Sequence, residues 1–173
     1  NSNTTGHLNT AVGNEAMKSN TTGENNTALG WEALSSNTTG DRNTASGLYV
    51  LRYNTTGYYN TAMGYEAGDV ITTGSNNTII GYGADPSANN ASNQIVIGKG
   101  ATGQGDNYAV IGNADVTRVY AAQDAGATLY AGGLNIGGTA VSSTAAELNI
   151  LDGVTTTATE LNLIDGVTAT TVE

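Results

Sequence analysis

The stretch NNTALGWEALSSNTTGDRNTASGLYVLRYNTTGYYNTAMG, residues 25–64, repeats itself with a period of 17, and that period decides the architecture. Asn26, Asn43 and Asn60 stand in register, as do Gly30, Gly47 and Gly64. Working outward, the asparagine series extends back to Asn9 and on to Asn77, and the second glycine series runs from Gly13 to Gly81. An earlier glycine recurs at Gly6, Gly23, Gly40, Gly57 and Gly74, so the unit reads NTTGxxNTAxGxxAxxx. Gly98 keeps the 17-residue step and Gly112 follows 14 later, which makes seven coils. Self-similarity at such a period marks a solenoid, in which each unit buries its apolar face only by stacking on its neighbours.

Each coil offers two short β-favouring pieces, such as Asn9–Gly13 and Ala16–Asn20, separated by glycines able to take positive φ at the corners. Both are too short, and too rich in Thr and Asn, for a helix. The column before the second glycine, Val12, Leu29, Ser46, Met63, Ile80, Ile97 and Ile111, is mostly apolar and is expected to face inward. One position earlier, Ala11, Ala28, Ala45, Ala62, Ile79, Val96 and Val110 point the other way, because side chains alternate along a strand. With both faces apolar and so thin a coil, the second face is expected to meet neighbouring subunits, most simply in a homotrimer that does not fold as a monomer. Coils stacked at ~4.8 Å would align Asn9, Asn26, Asn43, Asn60 and Asn77 into a structural ladder of amides, each bonding to the coil above and below. The fold class expected is all-β: a parallel β-solenoid or β-roll of 17- and then 14-residue coils over residues 1–113, followed by short strands and small helical turns.

Composition agrees with an assembly built by stacking. The 173 residues include 24 Gly and no Phe, so one chain removes only a modest apolar area from water. A formal charge of −10 with only five Lys and Arg argues against nucleic-acid binding. Residues 1–100 carry seven acids against four bases, and residues 101–173 eight acids against Arg118 alone, implying two differently built halves. Without Cys there is no disulfide or thiolate metal site, and no run approaches the ~20 apolar residues of a membrane span. The chain starts without Met and stops in mid-pattern at Glu173, so it is read as a fragment or a processed piece.

The solenoid pattern ends near residue 113. Residues 114–140 are read as a junction, in which ATLYAGGLNIGG gives short strands broken by glycine pairs. Residues 141–173 hold two 13-residue units. In these, Thr144 to Glu147 and Thr157 to Glu160 match a capping box ahead of Asp152-Gly153 and Asp165-Gly166, predicting two short helical turns.

At this point the residues resemble known groups. NQIVIGKGATGQGDNYAVIGNA (93–114), with its 14-residue step, is similar to the head repeats of trimeric autotransporter adhesins, which are left-handed parallel β-rolls. IGNADVTRVYA (111–121) resembles the exit from such repeats in bacteriophage tail fibres. TAAELNILDGVTTTATELNLIDGVT (144–168) resembles repeats of phage tail-fibre proteins, notably marine ones. The resemblance implies a homotrimeric fibre of the virion tail, extracellular and used for host attachment, with other fibre or tail proteins as partners. A bacterial surface adhesin head and a fibre-borne polysaccharide depolymerase are the rivals.

Chemical motifs are sparse. Gly98, Gly100 and Gly103 spell GxGxxG, but GDN and another strand follow where a dinucleotide site needs a helix, so corner glycines explain them and no cofactor is expected. Glu15, Glu24, Glu32, Asp41, Glu66 and Asp69 fall at variable positions near turns and are read as solvated surface. His7 is the sole histidine, and no catalytic residue, metal ligand or enzymatic activity is expected. The NxT and NxS triplets at Asn3, Asn20, Asn25, Asn37, Asn54, Asn76 and Asn90 mostly follow the repeat and are read as turns rather than glycosylation sites. Adjacent threonines of TTG point in alternating directions, which argues against an ice-binding array. Trp31, Leu48, Tyr65 and Tyr82 follow the coil glycine in four successive coils. Trp31, Tyr65 and Tyr82 are the candidate glycan contacts, with Leu48 filling the gap between them, although an aromatic column also serves simply to stiffen a solenoid.

Overall fold

The computed structural model describes residues 2–119, 134–136 and 139–141. Two compact units divide the chain, Asn1–Val119 and Tyr120–Glu173. The first is a parallel β-solenoid of about six turns. Its strands are β1 (Thr10–Val12), β2 (Thr27–Leu29), β3 (Thr44–Ser46), β4 (Thr61–Met63), β5 (Thr78–Ile80), β6 (Ile95–Ile97) and β7 (Ala109–Ile111), hydrogen-bonded in sequence order. Thr10 pairs with Thr27, Thr27 with Thr44, Thr44 with Thr61 and Thr61 with Thr78, so equivalent residues stack. In the second unit, β8 (Leu134–Ile136), inside the stretch read as short strands, pairs antiparallel with β9 (Thr139–Val141), which follows that stretch and ends one residue beyond the expected junction. The two helical turns expected after Thr144 and Thr157 lie outside the described residues.

Only three residues per coil are strand, so the rest of the backbone needs other partners. Much of it bonds coil to coil. The N–H groups of Thr4, Thr5 and Gly6 converge on Thr21 O at 2.9, 3.1 and 3.3 Å, and the Thr4 hydroxyl donates to the same oxygen at 2.9 Å. Thr21, Thr22 and Gly23 repeat this on Thr38 O. Such close approach explains the first glycine series, which does not have positive φ. A Cβ at Gly23 would sit 2.5 Å from Gly40 O and 2.5 Å from Asn20 Oδ1. The second series does need glycine conformationally, since Gly13, Gly30, Gly47, Gly64 and Gly81 take φ between 130° and 142°.

Two expectations are corrected. The piece Ala16–Asn20 and its equivalents are turns, not strands. Glu15 and Met17, Glu32 and Leu34, and Tyr49 and Leu51 all take φ near +50 to +60°, which bends the chain back at every second residue and rules out extended pairing. The inward face of the strand is also the reverse of that expected. Ala28, Ala45, Ala62, Ile79 and Val96 are fully or almost fully buried, whereas Val12, Leu29, Met63 and Ile111 are exposed.

The reason lies across the coil. Met17, Leu34 and Leu51 project into the interior from the turn side, and the Leu34 and Leu51 coils carry Ala28 and Ala45 on the inner face of the strand. In the fifth and sixth coils the strand supplies Ile79 and Val96 instead. There Gly68 opens the space, because a Cβ on it would lie 3.7 Å from Ile79 Cγ1 and 3.0 Å from Leu51 Cδ2. Large and small residues thus exchange sides while the cross-section stays filled, as dense packing requires.

Two consequences can be measured by chemical denaturation. Ala45→Leu, in the coil whose interior Leu51 already occupies, is expected to cost roughly 1–3 kcal/mol through overpacking. Ile79→Ala is expected to cost roughly 2–5 kcal/mol through the cavity it leaves. Equal tolerance of both changes would show that the interior is not filled by this exchange.

Candidate functional site

Two amide ladders run through the interior. Asn9, Asn26, Asn43, Asn60 and Asn77 form the first. Their Oδ1 atoms accept the backbone N–H of the next member at 2.9–3.1 Å, ending on the Gln94 N–H at 3.0 Å. Their Nδ2 atoms donate to the carbonyls of Gly23, Gly40, Gly57, Gly74 and Ala91 at 2.7–2.8 Å. From Asn43 onward each Nδ2 also donates back to the preceding Oδ1. Gln94 closes the ladder, donating to Ser87 Oγ at 2.6 Å and to Asp106 Oδ1 at 3.2 Å. The Ser92 N–H and then Gln94 hold the Asp106 carboxyl below its usual range.

The second ladder was not singled out from sequence, although its 17-residue recurrence marked Asn3, Asn20, Asn37 and Asn54 as turns. Asn20, Asn37 and Asn54 each donate to the preceding Oδ1 at 2.9–3.2 Å and to the glycine carbonyl three residues on at 2.9–3.1 Å. Ile71 takes the next place, has no amide to give, and leaves Asn54 Oδ1 buried without a partner. Burial of Asn20, Asn37 and Asn54 withdraws these triplets from any modifying enzyme in the folded chain.

Outside, the structure joins the candidate aromatics differently from the sequence reading. Tyr49, not Leu48, fills the gap. Its ring lies 6.1 Å from both Trp31 and Tyr65, and Tyr65 stacks on Tyr82 at 5.0 Å with planes 12° apart. The Arg52 guanidinium lies 4.6 Å over Tyr49 and 5.3 Å over Tyr53, and reaches Glu32 at 2.6 Å. Tyr65 is held above its usual phenol range by its hydrogen bond to Glu66. In this ribbon the facing surfaces of Tyr65 and Tyr82 are occupied by one another, so they stiffen the contact between coils. Trp31 and Tyr82, at the two ends, are the most exposed rings of the ribbon, at 51% and 59%.

Beside the ribbon lies the outer face of the sheet. One row is Thr10, Thr27, Thr44, Thr61, Thr78, Ile95 and Ala109, and the other is Val12, Leu29, Ser46, Met63, Ile80, Ile97 and Ile111. No member of either row carries a charge. Of the carboxylates, Glu15 pairs with Lys18 at 2.6 Å, Glu32 with Arg52, and Glu24 with His7 at 3.0 Å, while Glu66, Asp69 and Asp85 lie near one another. Among the described residues no three His, Cys, Asp or Glu side chains come together as a metal-holding group. Gly98 and Gly100 of the GxGxxG stretch take positive φ and lead to a bridge at Thr102 rather than a helix. Comparison with protein-family models, curated proteins and solved structures finds no match to the chain.

Tyr49→Leu keeps much of the apolar area but breaks two ring contacts. It is expected to lower stability by roughly 1–3 kcal/mol, at about 0.5–1.5 for each ring pair. Leu48→Ala in the same coil serves as the comparison, and a larger loss there would remove the ribbon's structural role.

Proposed function

We propose that the chain is a structural segment of a homotrimeric fibre used for host attachment, of the bacteriophage tail-fibre kind and so part of the virion tail. The observation that carries this reading is the uncharged outer face of the seven-stranded sheet. On a chain of net charge −10, like-charged copies repel over most of their surface, and this face is where they meet without burying charge. A single exposed apolar residue needs no explanation, but a mostly apolar row that exposes Val12, Leu29, Met63 and Ile111, beside an uncharged threonine-lined row that exposes Ile95, does. The occupant with the matching coil period is another copy of the same chain. Threefold association closes the assembly and leaves the ends of the stack for adjoining fibre segments. The likeness of residues 111–121 and 144–168 to phage tail-fibre sequences supports the same reading, and that of residues 93–114 to trimeric adhesin head repeats supports the threefold association.

Two rows that mate coil by coil are expected to fail together when a charge is placed on one of them. The segment should sediment as a trimer at micromolar concentration, and Met63→Asp should abolish the trimer, because each assembly then buries three unpaired carboxylates. A monomeric, fully folded wild-type segment would overturn the proposal.

Contact with a host surface glycan is assigned, within this proposal, to the ends of the aromatic ribbon, where ring faces are free for a flat sugar face. Tyr82→Ala is expected to weaken attachment of the segment to host cells while leaving the trimer intact. Unchanged attachment would leave the ribbon with its stiffening role alone.

A further inference from the structure

Asp85 occupies an unusual place in the stack. Stepping by 17 along the interior column of Met17, Leu34 and Leu51 leads to Gly68 and then to Asp85. Met17, Leu34 and Leu51 are buried hydrocarbon side chains on backbone of positive φ, whereas Asp85, at the same step of the repeat, lacks the positive φ and is half-buried. Its Oδ1 is buried and has no hydrogen-bond partner. Its backbone, meanwhile, stitches two coils together: the Asp85 N–H donates to Ala101 O at 2.9 Å, the Gly103 N–H donates to Asp85 O at 2.8 Å, and Asp85 bridges Thr102 in parallel. We propose that Asp85 makes the joint between the fifth and sixth coils an acid-closed latch, tight when its carboxyl group is protonated and loosened when it is ionised.

The charges around it act in one direction. Asp69 and Glu66, both from the preceding coil, face Asp85 with like charge. The cation on that side is Arg52, which is already bonded to Glu32 at 2.6 Å. On the following coil the neighbouring residues, Ala101, Thr102 and Gly103, carry no charge. An ionised carboxylate in this setting loses hydration, gains no counter-ion and is repelled by the coil before it; a protonated one avoids all three costs. Burial first, and then Asp69, raise the Asp85 carboxyl to about 6, while the Val70 N–H offsets part of the rise.

The sign follows from the folded state holding the proton more tightly than the unfolded chain does. The stabilisation is complete below the ordinary carboxylate range and is lost as pH rises through about 6. Asp106, held low, titrates below this window and carries the opposite sign.

Hydrogen exchange on the 173-residue chain tests the latch, in a His7→Gln background so that the only histidine does not contribute. With intrinsic rates corrected, protection of the Asp85 and Gly103 amides is expected to fall about tenfold between pH 5 and pH 7.5, with amides of the second and third coils unchanged. Asp85→Asn, neutral at both pH values, should abolish the difference. Asp69→Asn should keep it but move its midpoint to lower pH, and this variant decides the matter if Asp85→Asn does not fold. A pH difference that survives in Asp85→Asn, or a midpoint unmoved by Asp69→Asn, would overturn the proposal, as would a wild-type chain with no difference at all.

Discussion

The constraint on which the rest of this structure depends is the satisfaction of backbone polar groups in coils that are mostly not strand. A three-residue strand per turn satisfies few of them, and a coil this thin has no room for buried water at every corner. The chain answers with coil-to-coil bonds at the corners and with asparagine amides reaching the carbonyls that the sheet leaves open. An amide is suited to this because it both donates and accepts, so identical residues can bond to one another in an unbroken line. Leu lacks both functions, and Asp at the same place would align negative charges. Where the line is cut, at Ile71, an oxygen is left orphaned on Asn54.

Periodicity then follows as a consequence. An amide bonds its equivalent in the next coil only if that coil has the same path, so each departure from the repeat must be absorbed locally. Exchange of Ala for Ile on the strand against Leu for Gly on the turn side is one such adjustment, and it conserves filled volume rather than residue identity. Gln94 is another. Its longer side chain ends the ladder by turning to Ser87 and Asp106 at the point where the strand step shortens between β6 and β7.

The outer surface divides by chemistry. Charges gather along the turn side, where Glu32, Arg52, Tyr49 and their neighbours form a mixed ionic and aromatic edge. The sheet face is left without charge, apolar along one row and threonine-lined along most of the other. The Lys18–Glu15 pair is half-exposed and contributes little to stability, whereas Glu32 is largely buried and its bond to Arg52 fixes the guanidinium over Tyr49 and Tyr53. The sheet face carries no charge, and the proposed self-association rests on that difference.

The sequence alone determined the 17-residue period, the parallel β-solenoid, and the asparagine ladder with its glycine corners, because stacking forces equivalent positions to meet and a repeat in one dimension is legible without coordinates. It left open which strand face points inward. Both columns are apolar, and the larger residues, Val12, Leu29 and Met63, were the natural choice for a core. Tertiary structure reversed that choice because Met17, Leu34 and Leu51 already fill the interior from turns whose positive φ no propensity scale anticipates in Met, Leu and Glu. The same turns placed Tyr49 rather than Leu48 between Trp31 and Tyr65, and where the positive φ is lost, at Asp85, a half-buried carboxyl group stands at the corresponding step. Composition and spacing name the residues of a coil, but the direction of each side chain depends on backbone angles that are set by what lies across the coil.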